Sequence, residues 1–259
     1  MRENRVLSNH KLNKPSYGIF AELQSTSSIE NMALSGLDFV IIDAEHAPLG
    51  TEFINRAIIA ADAAGITPFV RIPEISRREV LHALDGGAQG LVIPSVETVD
   101  EVRHLVHWAK FAPVGSRGYV PTRDGLWGDD ESYAGGGVSY MEEANHHTLL
   151  LPQCETMGCL ENLEEIVSMD GVDGIFVGPL DLSIALGCPM QMDSPRETEA
   201  IEHILKIVHQ YNKLAFIYSG DTETALRMTK MGYDAVNIGT DVFVLRAGLQ
   251  AISKNLNRA

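Results

Sequence analysis

Cysteine is scarce in this chain: Cys154, Cys159 and Cys188 are the only three in 259 residues, and none stands in a C-x-x-C pair. An odd count without paired spacing argues against a disulfide framework and for a reducing, cytoplasmic setting. Residues 1–5 carry no apolar signal segment. No apolar run reaches the roughly 20 residues needed to cross a bilayer, so no membrane partner is expected. Positive charge is in deficit, with 20 Lys and Arg against 35 Asp and Glu and a formal net charge of −15. Nucleic acids and anionic membranes are bound through basic patches, which excludes both as expected partners. Only seven lysines occur, at positions 11, 14, 110, 206, 213, 230 and 254, and none closes a strand-like run. A Schiff-base lysine needs a desolvated place at the reacting centre, so imine catalysis is not expected. G-x-G-x-x-G behind the first strand and G-x-S-x-G are both missing, which removes a dinucleotide site and a nucleophile elbow.

What the chain does have is a large apolar fraction, 45%, enough for one large domain with a sizeable core. Short β-branched runs alternate with amphipathic stretches. Eight runs read as strands: 17–23, 39–45, 67–73, 90–96, 148–155, 174–182, 214–219 and 235–241. Helix starts are marked by Ser27 or Ser28, by Ser76 with Glu79 at capping-box spacing, by Thr98 ahead of Asp100 and Glu101, and by Asp221 and Asp241. Such alternation implies parallel strands covered on both faces. Eight units in this length predict a single-domain (β/α)8 TIM barrel over residues 1–259, with residues 1–15 as an N-terminal extension. A doubly wound open sheet is the alternative. Residues 115–147 interrupt the pattern with a Gly-rich insertion that includes Gly135-Gly136-Gly137. Long loops of this kind are commonly functional, and it is expected over the barrel mouth or around a neighbouring subunit.

In a barrel of this type the active site lies at the C-terminal ends of the strands. Two acids stand at such ends, Glu155 after the fifth run and Asp181 after the sixth. A carboxylate at a buried strand tip is costly unless neutralised, so the pair suggests a shared divalent cation. Two hard oxygen ligands suit Mg²⁺ or Mn²⁺, with water and a chelating substrate filling the remaining positions. Each acid could equally cap the helix that follows. Alternation puts Gln153 and Glu155 on one face and Cys154 on the other. Arg71 inside an apolar strand calls for a carboxylate or an oxyanion, with Asp43 and Glu45 as structural partners at hand. His46, beside two acids, is a candidate general base. His104, His107, His203 and His209 read as helix-surface residues, and His146-His147 as solvated loop.

Several segments together resemble the HpcH/HpaI aldolase family: Asp43-Ala44-Glu45-His46-Ala47-Pro48, Val70-Arg71-Ile72-Pro73, Asp85-Gly86-Gly87-Ala88-Gln89-Gly90, Val92-Ile93-Pro94-Ser95, Gly115-Ser116-Arg117-Gly118, Gln153-Cys154-Glu155 and Gly178-Pro179-Leu180-Asp181-Leu182-Ser183. The likeness spans about residues 20–245. It implies a metal-dependent, class II pyruvate aldolase that cleaves a 4-hydroxy-2-oxo acid, such as a 2-keto-3-deoxy sugar acid, to pyruvate and an aldehyde. By the same resemblance Glu155 and Asp181 bind the metal (Mg²⁺, or else Mn²⁺ or Co²⁺), and Gln153, Gly178, Pro179, Leu180 and Asp181 contact the keto acid. Arg71 stabilises the transition state, His46 is the base, and Asp85 raises its basicity, often from a neighbouring subunit. The resemblance further implies a homo-oligomer, hexamer or trimer, with the C-terminal helix packed on a partner barrel. Leu180 stands where a small Ala is usual. Two other readings remain: a CoA-thioester lyase of the citrate lyase β-subunit type, and a barrel that binds a keto acid without turnover.

Overall fold

The computed structural model describes residues 1–256. Eight parallel strands close on themselves in chain order: β1 (Ser16–Ala21), β2 (Phe39–Asp43), β3 (Thr67–Arg71), β4 (Gly90–Ile93), β5 (Leu149–Cys154), β6 (Gly174–Val177), β7 (Leu214–Ser219) and β8 (Ala235–Thr240). Strand β1 pairs with β2 on one side and β8 on the other, which closes the ring. Around it lie α1 (Arg5–Lys11), α2 (Thr26–Leu34), α3 (Thr51–Ala64), α4 (Arg77–Asp85), α5 (Val99–Ala109), α6 (Gly137–His147), α7 (Met157–Glu161), α8 (Leu163–Ser168), α9 (Pro179–Ala185), α10 (Pro195–Gln210), α11 (Thr222–Met231) and α12 (Asp241–Leu256). The chain is thus the expected (β/α)8 barrel, and no helix among the described residues is long and apolar enough to cross a membrane.

Alternate strand residues fill the lumen, and phenylalanine dominates it. Phe39, Phe69 and Phe216 lie 5.5–6.0 Å apart between ring centroids, within the range of favourable aromatic contact. Gly18 makes the room: a Cβ there would fall 2.2 Å from the Phe39 ring. The outward strand residues, Cys154 among them, pack with the helices in a second and larger apolar layer. All three cysteines are free and buried.

Most predicted helix starts hold. Ser76 accepts from the Glu79 N–H, Thr98 forms a capping box with Glu101, and Asp221 accepts from the Thr224 N–H. Two do not. Ser25, not Ser27 or Ser28, caps α2. Asp241 begins α12 without capping it: its carboxylate accepts from the backbone N–H groups of Glu22 and Leu23 and from the Ser28 hydroxyl. It thereby ties the loop after β1 to the start of α12.

The insertion lies at the base of the barrel, opposite the expected mouth. The reason is chain order: it follows a helix and precedes β5, and connections of that sense run along the N-terminal face, whereas only those that follow strands line the mouth. Arg117 joins Asp85 and Asp124 at 2.7 Å each, and Arg123 reaches Asp62 at 2.6 Å. His146 and His147 close α6 instead of lying in loop, and His147 pairs with Glu143 at 2.8 Å. At the same end α1, capped by Asn4, inserts Val6 into the bottom of the lumen.

Candidate active site

The register of β2 against β3 sets the first half of the site. Asp43 and Arg71 are paired last residues of adjacent strands, so their side chains meet at the mouth. The guanidinium grips Asp43 with two bonds, Nε at 2.8 Å and Nη2 at 2.6 Å. Its Nη1 lies 3.0 Å from Glu45, and its carbon sits 4.3 Å from the centre of the Phe20 ring. Both structural partners foreseen for Arg71 are therefore engaged. A guanidinium carries five N–H groups; two bond Asp43, and Nη1 lies beside Glu45 as an ion pair without a hydrogen bond to it. His46 lies at the rim with its side chain 63% exposed, its Nε2 3.7 Å from Glu45. Within the chain its acidic neighbour is Glu45. Asp85 ends α4 at the base, bound to Arg117, and is not brought to His46.

The second half comes from β5, β6 and the turn into α9. The sixth strand is shorter than the sequence predicts. It stops at Val177, and Pro179 opens α9 as its first residue, where its fixed φ suits a helix start. Asp181 consequently sits in the first turn of a helix and is exposed, while Glu155 is buried just beyond β5. Glu155 accepts from the Ser95 N–H at 2.8 Å and from the Gln153 side-chain amide. Ser95 presents that N–H from a left-handed conformation, φ 52°, uncommon for a residue with a side chain. Burial pushes the Glu155 carboxyl up to about 7, and the charges of Glu45 and Asp181 add to this against the Ser95 hydrogen bond. Gly178 is required here, since a Cβ would lie 2.4 Å from Glu155 Oε2 and 2.7 Å from Gln153 Nε2.

Among the described residues no three His, Cys, Asp or Glu side chains gather as a ligand set. Glu155 and Asp181 are two oxygen donors whose charges act on each other, and the carbonyl oxygen of Gln153 is buried with no hydrogen-bond partner. Such a set fits a hard divalent cation that keeps water and takes further oxygens from a chelating substrate. The cavity above it holds about 170 Å³, and its lining includes Arg71, Gln153, Asp181, Glu22, Tyr218 and Phe243. Its lining contains no lysine.

A family model described as HpcH/HpaI aldolase/citrate lyase matches residues 16–247. The chain belongs to that family. A 2-keto-3-deoxy-L-rhamnonate aldolase of Klebsiella pneumoniae is 34% identical over 231 residues, 88% of this chain and 84% of the relative. One from Escherichia coli is 33% identical over 93% of this chain and 90% of its own length. Among solved structures, an HpcH/HpaI aldolase from Desulfitobacterium hafniense superposes with a TM-score of 0.91 at 25% identity, covering 99% of this chain and 98% of that one. The citrate synthase SbnG gives 0.88 at 27% identity, over 99% and 98% of the two chains. A citrate lyase β subunit from Mycobacterium tuberculosis, at 18% identity and a TM-score of 0.56, shares the fold alone. As a family member this chain is a class II aldolase, a lyase that cleaves carbon–carbon bonds. The family is generally dependent on a divalent metal.

Two features of this HpcH/HpaI site escaped the sequence reading. Ser95, after β4, is seen only once its backbone meets Glu155. Glu22 and Tyr218 also stand at strand ends, one hidden inside the predicted first strand and one beside the last residue of β7. The rule that exposed Arg71 and Glu155, applied to all eight strand ends, would have found both.

Proposed function

We propose that this aldolase reversibly cleaves a 4-hydroxy-2-oxo acid, a 2-keto-3-deoxy sugar acid or close analogue, to pyruvate and an aldehyde. The observation that carries the reading is Glu155. A buried carboxyl held up at about 7 beside a second acid, in a cradle that only Gly178 permits, is a place built for a cation. Glu155 and Asp181 would hold a divalent cation, Mg²⁺ or else Mn²⁺ or Co²⁺. Bound there, the cation supplies Lewis-acid stabilisation of charge developing on a chelating 2-oxo acid. Gln153 and the Gly178-Pro179-Leu180-Asp181 turn seat the keto acid. The N–H groups of Arg71 not bonded to Asp43 donate to the oxygen on which charge builds, from a position fixed by Asp43 and by the ion pair with Glu45. His46, directly or through one water, takes the proton of the C4 hydroxyl as the C3–C4 bond breaks. The bonding electrons remain on C3, and the proton taken by His46, returned directly or through water, converts C3 to the methyl group of pyruvate. Asp85 acts on His46 only from a second subunit. The relatives' action on 2-keto-3-deoxy-L-rhamnonate supports the substrate class.

The test uses pyruvate alone. In D₂O with Mg²⁺, the pyruvate methyl signal is expected to disappear from the proton NMR spectrum as C3 exchanges. A chelator is expected to stop the exchange and Mn²⁺ to restore it. Binding of pyruvate without exchange identifies a keto-acid-binding barrel instead.

The oligomeric state belongs to the same proposal. Helix α12 leaves Leu245, Leu249, Ile252 and Leu256, which share one helix face, each more than half exposed, an apolar stripe that a lone chain rarely presents. A second copy that covers it yields a homo-oligomer, trimer or hexamer. Sedimentation velocity is expected to show such a species, and Leu249→Asp with Ile252→Asp is expected to shift it to a smaller one.

A further inference from the structure

One charge that lines the cavity has no role in the chemistry above. In a ring of eight strands, β5 and β6 lie across from β1 and β2. The residues that seat the keto acid, Gln153 and the α9 turn, share the cavity with Phe20 and Glu22 at the end of β1 and with Tyr218 of β7. Glu22 stands directly after β1. Its backbone N–H is fixed at 2.9 Å by Asp241, and its side chain lines the cavity half-buried. Among the described residues its carboxylate has neither an ion-pair partner nor a hydrogen bond; the nearby cation, Arg71, is already held by Asp43 and Glu45. Beside it stands Tyr218, whose ring lies 6.2 Å from that of Phe20 and whose hydroxyl is pushed up by burial and by the Glu22 charge. An unpaired carboxylate next to a phenol offers acceptors and one donor to hydroxyl groups and repels a second carboxylate brought against it, while Arg71 and His46 are the cations that line the same cavity.

We propose that Glu22, with Tyr218, determines aldehyde specificity: it accepts neutral, hydroxylated aldehydes and rejects those with a carboxylate tail. This rests on the aldolase reading and adds to it the residue that chooses the partner of pyruvate. Discrimination of this kind comes from the repulsive element as much as from the attractive one. A site built to hydrogen-bond a hydroxyl also disfavours an analogue that lacks it.

The experiment is aldol addition of pyruvate, with Mg²⁺, to glyceraldehyde, propionaldehyde and succinic semialdehyde. The wild type is expected to prefer glyceraldehyde to both. In Glu22→Gln, the kcat/KM ratio of succinic semialdehyde to glyceraldehyde is expected to rise about tenfold. General damage to the site lowers both rates and leaves the ratio alone, so the ratio reads the charge. A wild type that takes succinic semialdehyde as readily as glyceraldehyde, or a ratio unmoved by Glu22→Gln, overturns the assignment while the aldolase reading stands. A wild type that neither exchanges the pyruvate methyl protons nor adds any aldehyde overturns the aldolase reading, and the role of Glu22 with it.

Discussion

Arg71→Ala is expected to lower kcat for retro-aldol cleavage by about 10²–10³-fold, the usual cost of losing one donor to developing negative charge. The same change is expected to destabilise the barrel. Arg71 is 7% exposed and Asp43 is fully buried, and removing one partner of a buried ion pair typically costs about 3–5 kcal/mol because the other charge is left uncompensated. Both effects have one origin, the register that places Asp43 against Arg71. Arg71→Lys separates them. An ammonium retains the charge opposite Asp43 but lacks the planar fork that grips a carboxylate with two bonds and still donates elsewhere. Lysine is therefore expected to recover much of the lost melting temperature and little of the lost turnover. Turnover is followed through pyruvate release and stability through thermal unfolding at fixed metal concentration. If Arg71→Ala stays within a few-fold of wild-type kcat, Arg71 is a structural ion pair and nothing more.

The barrel was legible because its strands are short apolar runs, regularly spaced, whose tips differ chemically from their bodies. Asp43, Arg71 and Glu155 stand out for that reason, and the structure gathers them at one mouth. The sixth run misled because Gly178-Pro179-Leu180-Asp181-Leu182 stays apolar through the turn from strand into helix, so composition alone carries β6 past its end. The cost was the position of Asp181, a first-turn residue of α9 instead of a strand tip. Asp241 misled differently. An acid at a helix start usually caps, but here a longer-range demand, the free N–H groups of Glu22 and Leu23, captured its carboxylate. The insertion's place was legible in principle, since a segment between a helix and the next strand belongs to the base. Asp85 does not meet His46 within the chain, because α4 ends at the base, where Asp85 pairs with Arg117.

Glu197→Met is expected to raise the melting temperature, and by more at pH 8 than at pH 5. Glu197 occupies the first turn of α10, where Ser194 caps the helix, and it is fully buried with neither carboxylate oxygen hydrogen-bonded. A helix N-terminus favours an anion by about 0.3–1 kcal/mol. Burial opposes it more strongly, with the charge of Asp193 acting in the same direction, and the carboxyl is held up at about 7. The sign follows from proton binding. Below the unfolded value, about 4.3, both states are protonated and the side chain carries no charge penalty. Between there and 7 the unfolded chain ionises while the folded chain keeps its proton, so stability falls as pH rises. Above 7 the loss is complete, on the order of 1–3 kcal/mol once solvent screening is allowed for, which for a chain of this length is several degrees of melting temperature. Methionine, of similar volume, has no charge to bury and removes the dependence. Other titrating groups remain in both proteins: Glu155, raised like Glu197, and Asp130, lowered to about 2 by the N-terminal ammonium and Ser132. Their contributions cancel in the difference between variant and wild type. A difference that is equal at pH 5 and pH 8 would mean that Glu197 finds a cation or water in the folded protein and carries its charge without penalty.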